Sequence, residues 1–342
     1  SLSEIIVYDE NPFFSSKDGI LYTKDLSELI ISTSSVGKEF VVPSEVTKIK
    51  EYSFNGCTGL TAITIGDNVS TIGYRAFCTC HSLKRVSIGK GVEFIGDNAF
   101  ANCPITHLSV NSESVISRFN SAFGVLHISE VVIGDDVSKM EGECFNGCIK
   151  LTKATIGANV KIIGEYAFYG CTSLGDINIP PKVKSISSFA FSLCSSLTSI
   201  VIPDSVEKIG KSAFNHCYKL KSITVGTGLS LVLESAFADC FALESFRYNG
   251  ILEPVCYDSY GVFSECPNLN KVSVPSHYNG RLFLSIDVIK DDYYSKEGTF
   301  AAVLFAGIAA AIVAGIVVLI MCCKKVGCFA DKEDDISWTH EA

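Results

Sequence analysis

The feature that most constrains this chain is a repeat of about 23 residues that runs through most of its length. Phenylalanine marks the repeat at ten positions, and seven of the nine intervals between them are 23 residues, with one of 22 and one of 26. These residues are Phe54, Phe77, Phe100, Phe123, Phe145, Phe168, Phe191, Phe214, Phe237 and Phe263. Such constant spacing predicts an array of units that stack on their neighbours.

One copy of the repeat indicates how each unit folds. Residues 197–203, "LTSIVIP", alternate apolar and polar side chains, which predicts a short strand with Ile200 and Ile202 facing inward. The proline after the strand, or a glycine in other copies, turns the chain. A second short extended piece follows at Val206 and Ile209, and an Ala-Phe-x-x-Cys corner returns the chain with its ring in the interior. The pattern predicts a solenoid of stacked 23-residue turns with short parallel strands.

Cysteine occupies one repeat position, three residues after the phenylalanine, in nine copies. The nine are Cys57, Cys80, Cys103, Cys148, Cys171, Cys194, Cys217, Cys240 and Cys266. A small apolar thiol fits an inward position, so we expect a structural cysteine ladder inside the solenoid. The stretch "SAFNHCYKL" also places Ser212 and His216 near Cys217, but a catalytic cysteine would be unique rather than copied nine times.

An uncharged apolar stretch near the C-terminus is long enough to cross a membrane. Residues 300–321, "FAAVLFAGIAAAIVAGIVVLIM", reach ~33 Å as a helix, against a hydrocarbon core of ~30 Å. Lys324 and Lys325 follow it, which places the C-terminus in the cytoplasm. We expect a transmembrane helix at 299–323, a cytoplasmic tail at 324–342, and extracellular repeats at the plasma membrane.

The pattern also sets the remaining domain boundaries. Residues 1–39 are predicted to hold a partial repeat and a β-hairpin-like insertion, because turn signals at Lys17-Asp18-Gly19 separate apolar runs. The solenoid proper is predicted at 40–275, followed by a C-terminal cap and a short stalk at 276–298. Since the chain starts inside a repeat without Met or a signal peptide, we expect upstream turns and a signal peptide before Ser1.

Two further stretches break the repeat. Between Cys103 and Val131 the phase shifts and Arg118 takes an isoleucine position, so we expect Phe119 to turn inward in its place. Before Phe263 the chain holds three extra residues. Irregular turns are candidate binding sites, because loops tolerate insertions and often carry function. They are equally the ordinary decay of a repeat array.

The unit "SLTSIVIPDSVEKIGKSAFNHC" resembles the BspA-like (Treponema pallidum-type) leucine-rich repeat, over residues 1 to about 275. With one C-terminal membrane helix and a short tail, the chain resembles the membrane-anchored BspA-like proteins of parasitic protists such as trichomonads. The resemblance implies a leucine-rich repeat solenoid on the cell surface. It also implies adhesion to host cells, extracellular matrix or other cells, including bacteria, and a role as a surface antigen.

Chemical sites are few in the sequence. Cys78, Cys80 and His81 lack a second pair at zinc-finger spacing, and neither a phosphate loop nor a catalytic motif is present, so we predict no enzyme, metal or cofactor. A net charge of −9 without a basic cluster argues against nucleic acid. We expect most ladder thiols to stay free, with Cys256–Cys266 as the exception.

Asn68 begins the only Asn-x-Ser/Thr glycosylation sequon, Asn68-Val69-Ser70, in a predicted turn. A glycosylated Asn68 and an unmodified turn asparagine are both open interpretations.

The outward positions of the long strands bear on binding. They are small, rich in hydroxyl groups and nearly free of the Trp, Tyr and Arg that dominate strong interfaces. This composition favours weak, multivalent adhesion. The alternative is a single-pass receptor or sorting receptor that acts through its tail, which is too short for a signalling domain.

The predicted membrane helix raises two further questions. Gly307, Ala311 and Gly315 share one face and would let two helices pack closely as a homodimer, although small residues can also merely fill an apolar span. Cys322 and Cys323 could carry palmitoyl groups or be free thiols.

Overall fold

The computed structural model describes residues 4–34, 36–124, 127–258 and 261–291. All of these except Asp291 belong to one compact unit, Ser1–Lys290, and the second unit, Asp291–Ala342, is otherwise outside the described residues. The predicted membrane helix and tail therefore also lie outside them. Within the described ranges, no helix is both long and apolar enough to span a bilayer.

The described chain is a β-solenoid of about ten turns, with parallel strands and a spacing of about 23 residues, as the repeat predicts. An N-terminal insertion precedes the regular turns and contains β1 (Phe14–Lys17), β2 (Ile20–Thr23) and β3 (Glu28–Ser32). In chain order the turns then contribute β4 (Glu39–Val41), β5 (Lys48–Ile49), β6 (Ala62–Ile65), β7 (Thr71–Ile72), β8 (Arg85–Ile88), β9 (Phe94–Ile95), β10 (His107–Val110), α1 (Glu113–Ser117), α2 (Phe119–Phe123), β11 (Glu130–Ile133), β12 (Lys139–Met140), β13 (Lys153–Thr155), β14 (Ile162–Ile163), β15 (Asp176–Ile177), β16 (Ser185–Ile186), β17 (Ser199–Ile202), β18 (Lys208–Ile209), β19 (Ser222–Val225), β20 (Leu231–Val232), β21 (Ser245–Tyr248) and β22 (Val272–Pro275). A final hairpin consists of β23 (Leu282–Phe283) and β24 (Ile286–Asp291).

Most of the longer strands form one side of the solenoid, and most of the two-residue strands form the other, together with β1, β2 and β3 of the insertion. The longer strands pair in the orders β4-β6-β8-β10-β11-β13-β15 and β17-β19-β21-β22-β24-β23. On the opposite side the orders are β1-β2-β3-β5-β7-β9 and β12-β14-β16-β18-β20. Each inward row of Leu, Ile and Val is buried between these two sides, as the alternation predicts.

The insertion contains three strands, one more than a hairpin. β1 and β2 pair antiparallel around Asp18 and Gly19, which both have positive φ, as a tight hairpin turn requires. β2 pairs antiparallel with β3, and β3 then pairs in parallel with β5. The predicted hairpin is confirmed, and its third strand joins the insertion to the back of the solenoid.

The irregular turn before β11 contains helices where other turns have a two-residue strand. The Ser112 side chain caps α1 by accepting from Val115 N, and Val115 and Ile116 are buried. α1 lies between β9 and β12, and so it separates the two sheets of short strands. The sequence did not predict this helical segment.

The repeat phenylalanines form a column of buried, stacked rings. Neighbouring centroids lie 4.8 Å apart for Phe77 and Phe100, and 5.2 Å apart for Phe191 and Phe214. The column would break at the interval of 22 residues, but Phe119 enters it there. Its ring lies 4.6 Å from Phe123 and 4.8 Å from Phe145, and it is buried. The predicted inward turn of Phe119 is confirmed.

Eight of the ten phenylalanine corners bend the backbone into the left-handed region on both sides of the phenylalanine. Around Phe191, for example, Phe189 has φ 57° and Leu193 has φ 62°. Glycine takes the second of these positions in other turns, as at Gly147 with φ 73°. Non-glycine residues there store backbone strain, which the stacked neighbours hold in place.

The C-terminal hairpin packs on the last turns of the solenoid, while the predicted cap and stalk boundaries at 276–298 stay a prediction. Phe283 and Leu284 are buried, and the Phe283 ring lies 4.7 Å from Tyr248. At the other end, Ile5 and Val7 are half-buried and Ile6 is exposed, which matches the expected alternation, although these residues do not form an assigned strand.

Candidate functional site

A regular surface is formed by the outward side chains of the long strands, and we call it the strand face. Strand register aligns these side chains in two rows, because equivalent residues of successive turns pair directly. In the first sheet one row is Glu39, Ala62, Arg85, His107, Glu130, Lys153 and Asp176. The other row is Val41, Thr64, Ser87, Ser109, Val132 and Thr155. The second sheet continues them with Ser199, Ser222 and Ser245, and with Val201, Thr224, Arg247 and Ser273.

Charges on the strand face pair with one another along the first row. Arg85 reaches over the small side chain of Ala62 to the carboxylate of Glu39. Lys153 Nζ lies 2.6 Å from Glu130 Oε1, and this hydrogen bond holds the pKa of the Glu130 carboxyl below its ordinary value. These pairs are exposed, so they add little stability, but they neutralise the field of the surface.

Two shallow depressions lie on the strand face. One of about 430 Å³ is bordered by Glu39, Arg85, His107 and Glu130, and one of about 360 Å³ surrounds Asp176. In the first depression, His107 Nδ1 lies 2.9 Å from Thr106 Oγ1 and Nε2 lies 3.8 Å from Glu130. Both ring nitrogens of His107 therefore face side chains of its own turn or of the next turn.

The nine ladder cysteines are all buried, and seven of them share one contact. In each of these seven, Sγ lies 3.0–3.3 Å from the carbonyl oxygen of the phenylalanine in the preceding turn. The seven are Cys80, Cys103, Cys171, Cys194, Cys217, Cys240 and Cys266. Cys57 instead donates to Thr33 O at 3.7 Å. The thiol thus joins one corner to the next, a structural role.

In all eight cases the acceptor is a backbone carbonyl oxygen of the preceding turn. Cys148, the ninth ladder residue, is buried at the same repeat position, after the irregular turn that contains α2. Burial raises the pKa of the Cys217 thiol to about 12, so this side chain stays protonated at neutral pH. Since the thiolate is the nucleophile and the metal ligand, burial makes the Cys217 thiol chemically inert in the folded protein.

The remaining chemical candidates do not converge on a site. Cys217 Sγ contacts Phe191 O, whereas His216 Nδ1 lies 3.5 Å from Asp239 Oδ2. Among the described residues, no group of three or more His, Cys, Asp or Glu side chains could hold a metal ion. The twelve described cysteines are all free, so the expected Cys256–Cys266 disulfide is wrong. The Cys266 thiol instead donates inward to Phe237 O at 3.1 Å.

Asn68 lies in the turn after β6, where the sequence places it. The residue is exposed, and its Nδ2 donates to Ser44 O of the preceding turn at 2.8 Å. One N–H of this amide is therefore engaged, while the side chain remains accessible from solvent. Glycosylation at Asn68 stays a prediction.

A second pair of depressions, on the side of the short strands, was missed by the sequence. Arg118 divides them: its Nε donates to Ile95 O at 3.0 Å, its Nη2 lies 2.9 Å from Asp97 Oδ1, and its guanidinium lies over the Phe94 ring. The depression of about 720 Å³ includes Tyr74 and Phe94. The other, of about 650 Å³, is lined by residues that include Glu143, Glu165 and Tyr166. The sequence signal for these depressions was Arg118 at an isoleucine position. An arginine is tolerated there because its side chain is half-exposed rather than buried.

Three sets of predicted sites lie outside the described residues. They are the helix-pairing face Gly307, Ala311 and Gly315, the membrane-proximal Cys322 and Cys323, and Lys324 with Lys325. Homodimer formation, palmitoylation and topology stay predictions.

The architecture defines a leucine-rich-repeat type of β-solenoid whose turns stack through phenylalanine and cysteine. The chain matches the family described as a BspA type leucine rich repeat region, in six copies, over residues 32–152 and 139–270. These matches cover more than half of its length, and the chain belongs to this family. The family resemblance of the repeat is thereby confirmed, whereas the narrower likeness to the protist members stays a prediction.

Solved structures that the chain matches include three bacterial proteins. A leucine-rich repeat protein from Bacteroides ovatus is 20% identical, with a TM-score of 0.48, over 83% of this chain and 91% of that one. The pneumococcal vaccine antigen PcpA is 18% identical, with a TM-score of 0.43, over 82% and 88%. The T. pallidum leucine-rich repeat protein is 22% identical, with a TM-score of 0.33, over 68% and 88%. No curated protein matches the chain.

Proposed function

We propose that the chain is a non-enzymatic cell-surface protein that uses its repeat solenoid for adhesion to host cells, extracellular matrix or other cells, and that it acts as a surface antigen. The apolar stretch 300–321 anchors it in the plasma membrane, with the repeats outside and the tail in the cytoplasm. Membership of the BspA-type repeat family supports an extended binding array.

The observation that carries the proposal is the strand face. Its second row offers short side chains, many with hydroxyl groups, over many turns. In its first row, Arg85 pairs with Glu39 and Lys153 pairs with Glu130. Shallow depressions replace a deep cavity. Such a surface makes many weak contacts at once, and many copies on one cell raise the avidity without a strong single contact.

The test uses the full chain displayed on cells, with binding to host cells, matrix proteins and bacteria as the readout. Thr64→Arg with Thr155→Arg adds bulk and charge at two exposed positions of the strand face. We expect this double variant to lose at least about tenfold in adhesion to the surface that binds. Thr47→Arg, at an exposed threonine beside β5, is the matched control and should retain adhesion. Equal adhesion of both variants would show that the strand face is not the binding surface.

A further inference from the structure

The loop after β21 carries an apolar patch on the last turns of the solenoid. Four large apolar side chains within seven positions face solvent, and we call them the loop patch. They are Ile251, Leu252, Val255 and Tyr257, with exposed fractions of 49%, 65%, 56% and 89%. Single exposed apolar residues are common on protein surfaces, whereas four in one short loop are unusual and are a reason to look for an interaction site there.

The backbone of this loop is fixed by contacts with the neighbouring turns. Tyr248 Oη donates to Leu252 O at 2.6 Å, and Val255 N donates to Ser230 O at 2.8 Å. Val255 also forms a parallel bridge with Leu231, so it extends the sheet of short strands by one residue. The apolar side chains therefore project from an ordered backbone.

The acidic groups of the same loop are held by backbone amides. Glu253 Oε1 accepts from Leu284 N of the C-terminal hairpin at 2.8 Å. Asp258 Oδ1 accepts from Gly261 N at 3.2 Å. The Glu253 contact ties the loop to the hairpin. Both contacts satisfy part of the negative charge of the loop, which lowers the cost of bringing the loop patch against an apolar medium.

Chain connectivity indicates what that medium is. β24 ends at Asp291, and the uncharged apolar stretch begins at Phe300, so eight residues, 292–299, separate them. Eight residues reach at most ~28 Å when fully extended. A bilayer that takes up 300–321 must then lie within about that distance of Asp291, the last residue of the hairpin to which Glu253 ties the loop.

We infer that the loop patch docks on the lipid surface of the membrane in which the chain is anchored. Tyr257 suits the headgroup level, because tyrosine has an apolar ring and a polar tip and is enriched at membrane interfaces. Ile251, Leu252 and Val255 suit the boundary of the acyl chains. The inference rests on the proposed membrane anchorage, and it adds a second membrane contact that restricts the tilt of the solenoid above the bilayer.

The test uses the full chain in phospholipid nanodiscs and its single tryptophan. Trp338→Phe removes that tryptophan, and Tyr257→Trp in this background provides a probe within the loop patch. Phospholipids brominated on their acyl chains quench tryptophan only at short range. We expect at least about twofold quenching for Tyr257→Trp, and little for Tyr8→Trp in the same background, since Tyr8 is 80% exposed near the opposite end of the solenoid. Adding Leu252→Ser should reduce the quenching.

The outcomes separate this inference from the anchorage on which it rests. A chain that does not co-float with lipid vesicles would refute the anchorage and the inference together. A chain that co-floats, with equal and weak quenching at positions 8 and 257, would refute the lipid contact alone. Crosslinking between copies through the loop patch without quenching would assign the patch to a second copy of the chain and would also overturn the inference.

Discussion

The entry of Phe119 into the ring column leads to the strongest stability prediction. Phe119→Ala removes a ring that is 1% exposed and that lies 4.6 Å from Phe123 and 4.8 Å from Phe145. Truncation of a buried phenylalanine costs about 3–5 kcal/mol, and each aromatic contact contributes about 0.5–1.5 kcal/mol beyond its buried area. We therefore expect a loss of about 4–5 kcal/mol in the free energy of unfolding.

The same substitution should change how the solenoid unfolds. The stability of a repeat array is a sum of unit terms and of interfaces between neighbours. Phe119 is the ring that joins Phe123 to Phe145, so its loss weakens the interface between the N-terminal and C-terminal turns. We expect urea unfolding of the full chain, followed by circular dichroism, to separate into two transitions.

A half-exposed ring provides the control for this prediction. Phe241 stacks on Tyr218 at 5.5 Å but is 46% exposed. Phe241→Ala should cost no more than about 1–1.5 kcal/mol and should keep one transition. If Phe119→Ala costs no more than Phe241→Ala, or if it leaves the unfolding cooperative, the role of Phe119 as the link in the column is refuted.

Three further predictions concern the corners, the cysteines and the sequon. Gly147→Ala should cost about 1 kcal/mol in urea unfolding because Gly147 has φ 73°, whereas Gly66→Ala, at a glycine with open space and no positive φ, should be nearly neutral; equal effects would contradict the strained corner. The free energy of unfolding should fall as the pH rises from about 9 towards 12, because the Cys217 thiol stays protonated up to about pH 12 in the folded protein and ionises earlier in the unfolded chain. Cys217→Ala should make this fall shallower by about 1.4 kcal/mol per pH unit within that window, and an unchanged slope would speak against the buried thiol. If Asn68 is glycosylated in the native host, glycosidase treatment should lower the mass of the wild-type chain and leave Asn68→Gln unchanged; the same mass shift in both would place the glycan elsewhere.

The regular part of the fold could be predicted because its signal is repeated. Ten phenylalanines at nearly constant spacing fix the turn, and the alternation around residues such as Ile200 and Ile202 fixes which side chains face inward. The inward position of Phe119 followed from the same logic, since Phe119 directly follows Arg118, which occupies an isoleucine position.

The features that could not be predicted depend on single turns. α1 has five residues, which is too short for a helical period, and its Ser112 cap is an ordinary turn residue in sequence. The Cys256–Cys266 pairing failed because sequence proximity does not show that the Cys266 thiol faces the Phe237 carbonyl. The depressions beside Arg118 arise from side chains of different turns, such as Tyr74 and Phe94, which only the stacking brings together.

The paired charges of the strand face lead to a final prediction about adhesion. Arg85 with Glu39 and Lys153 with Glu130 cancel one another locally, so the surface offers little net field to steer a charged ligand. Binding through hydroxyl groups and short side chains should then depend weakly on ionic strength. We expect adhesion of the full chain displayed on cells to change by less than about twofold between low salt and physiological salt, where the screening length falls to about 8 Å.

A charge variant makes this last prediction sharper. Glu130→Gln leaves the Lys153 ammonium without its carboxylate partner and should make adhesion dependent on salt, because an unpaired cation now faces the ligand. Thr47→Arg also adds an exposed positive charge, but beside β5, and should leave the salt dependence unchanged. A wild-type chain whose adhesion falls steeply with salt would mean that binding depends on unpaired charges elsewhere on the solenoid, and the hydroxyl-rich rows would lose their proposed role.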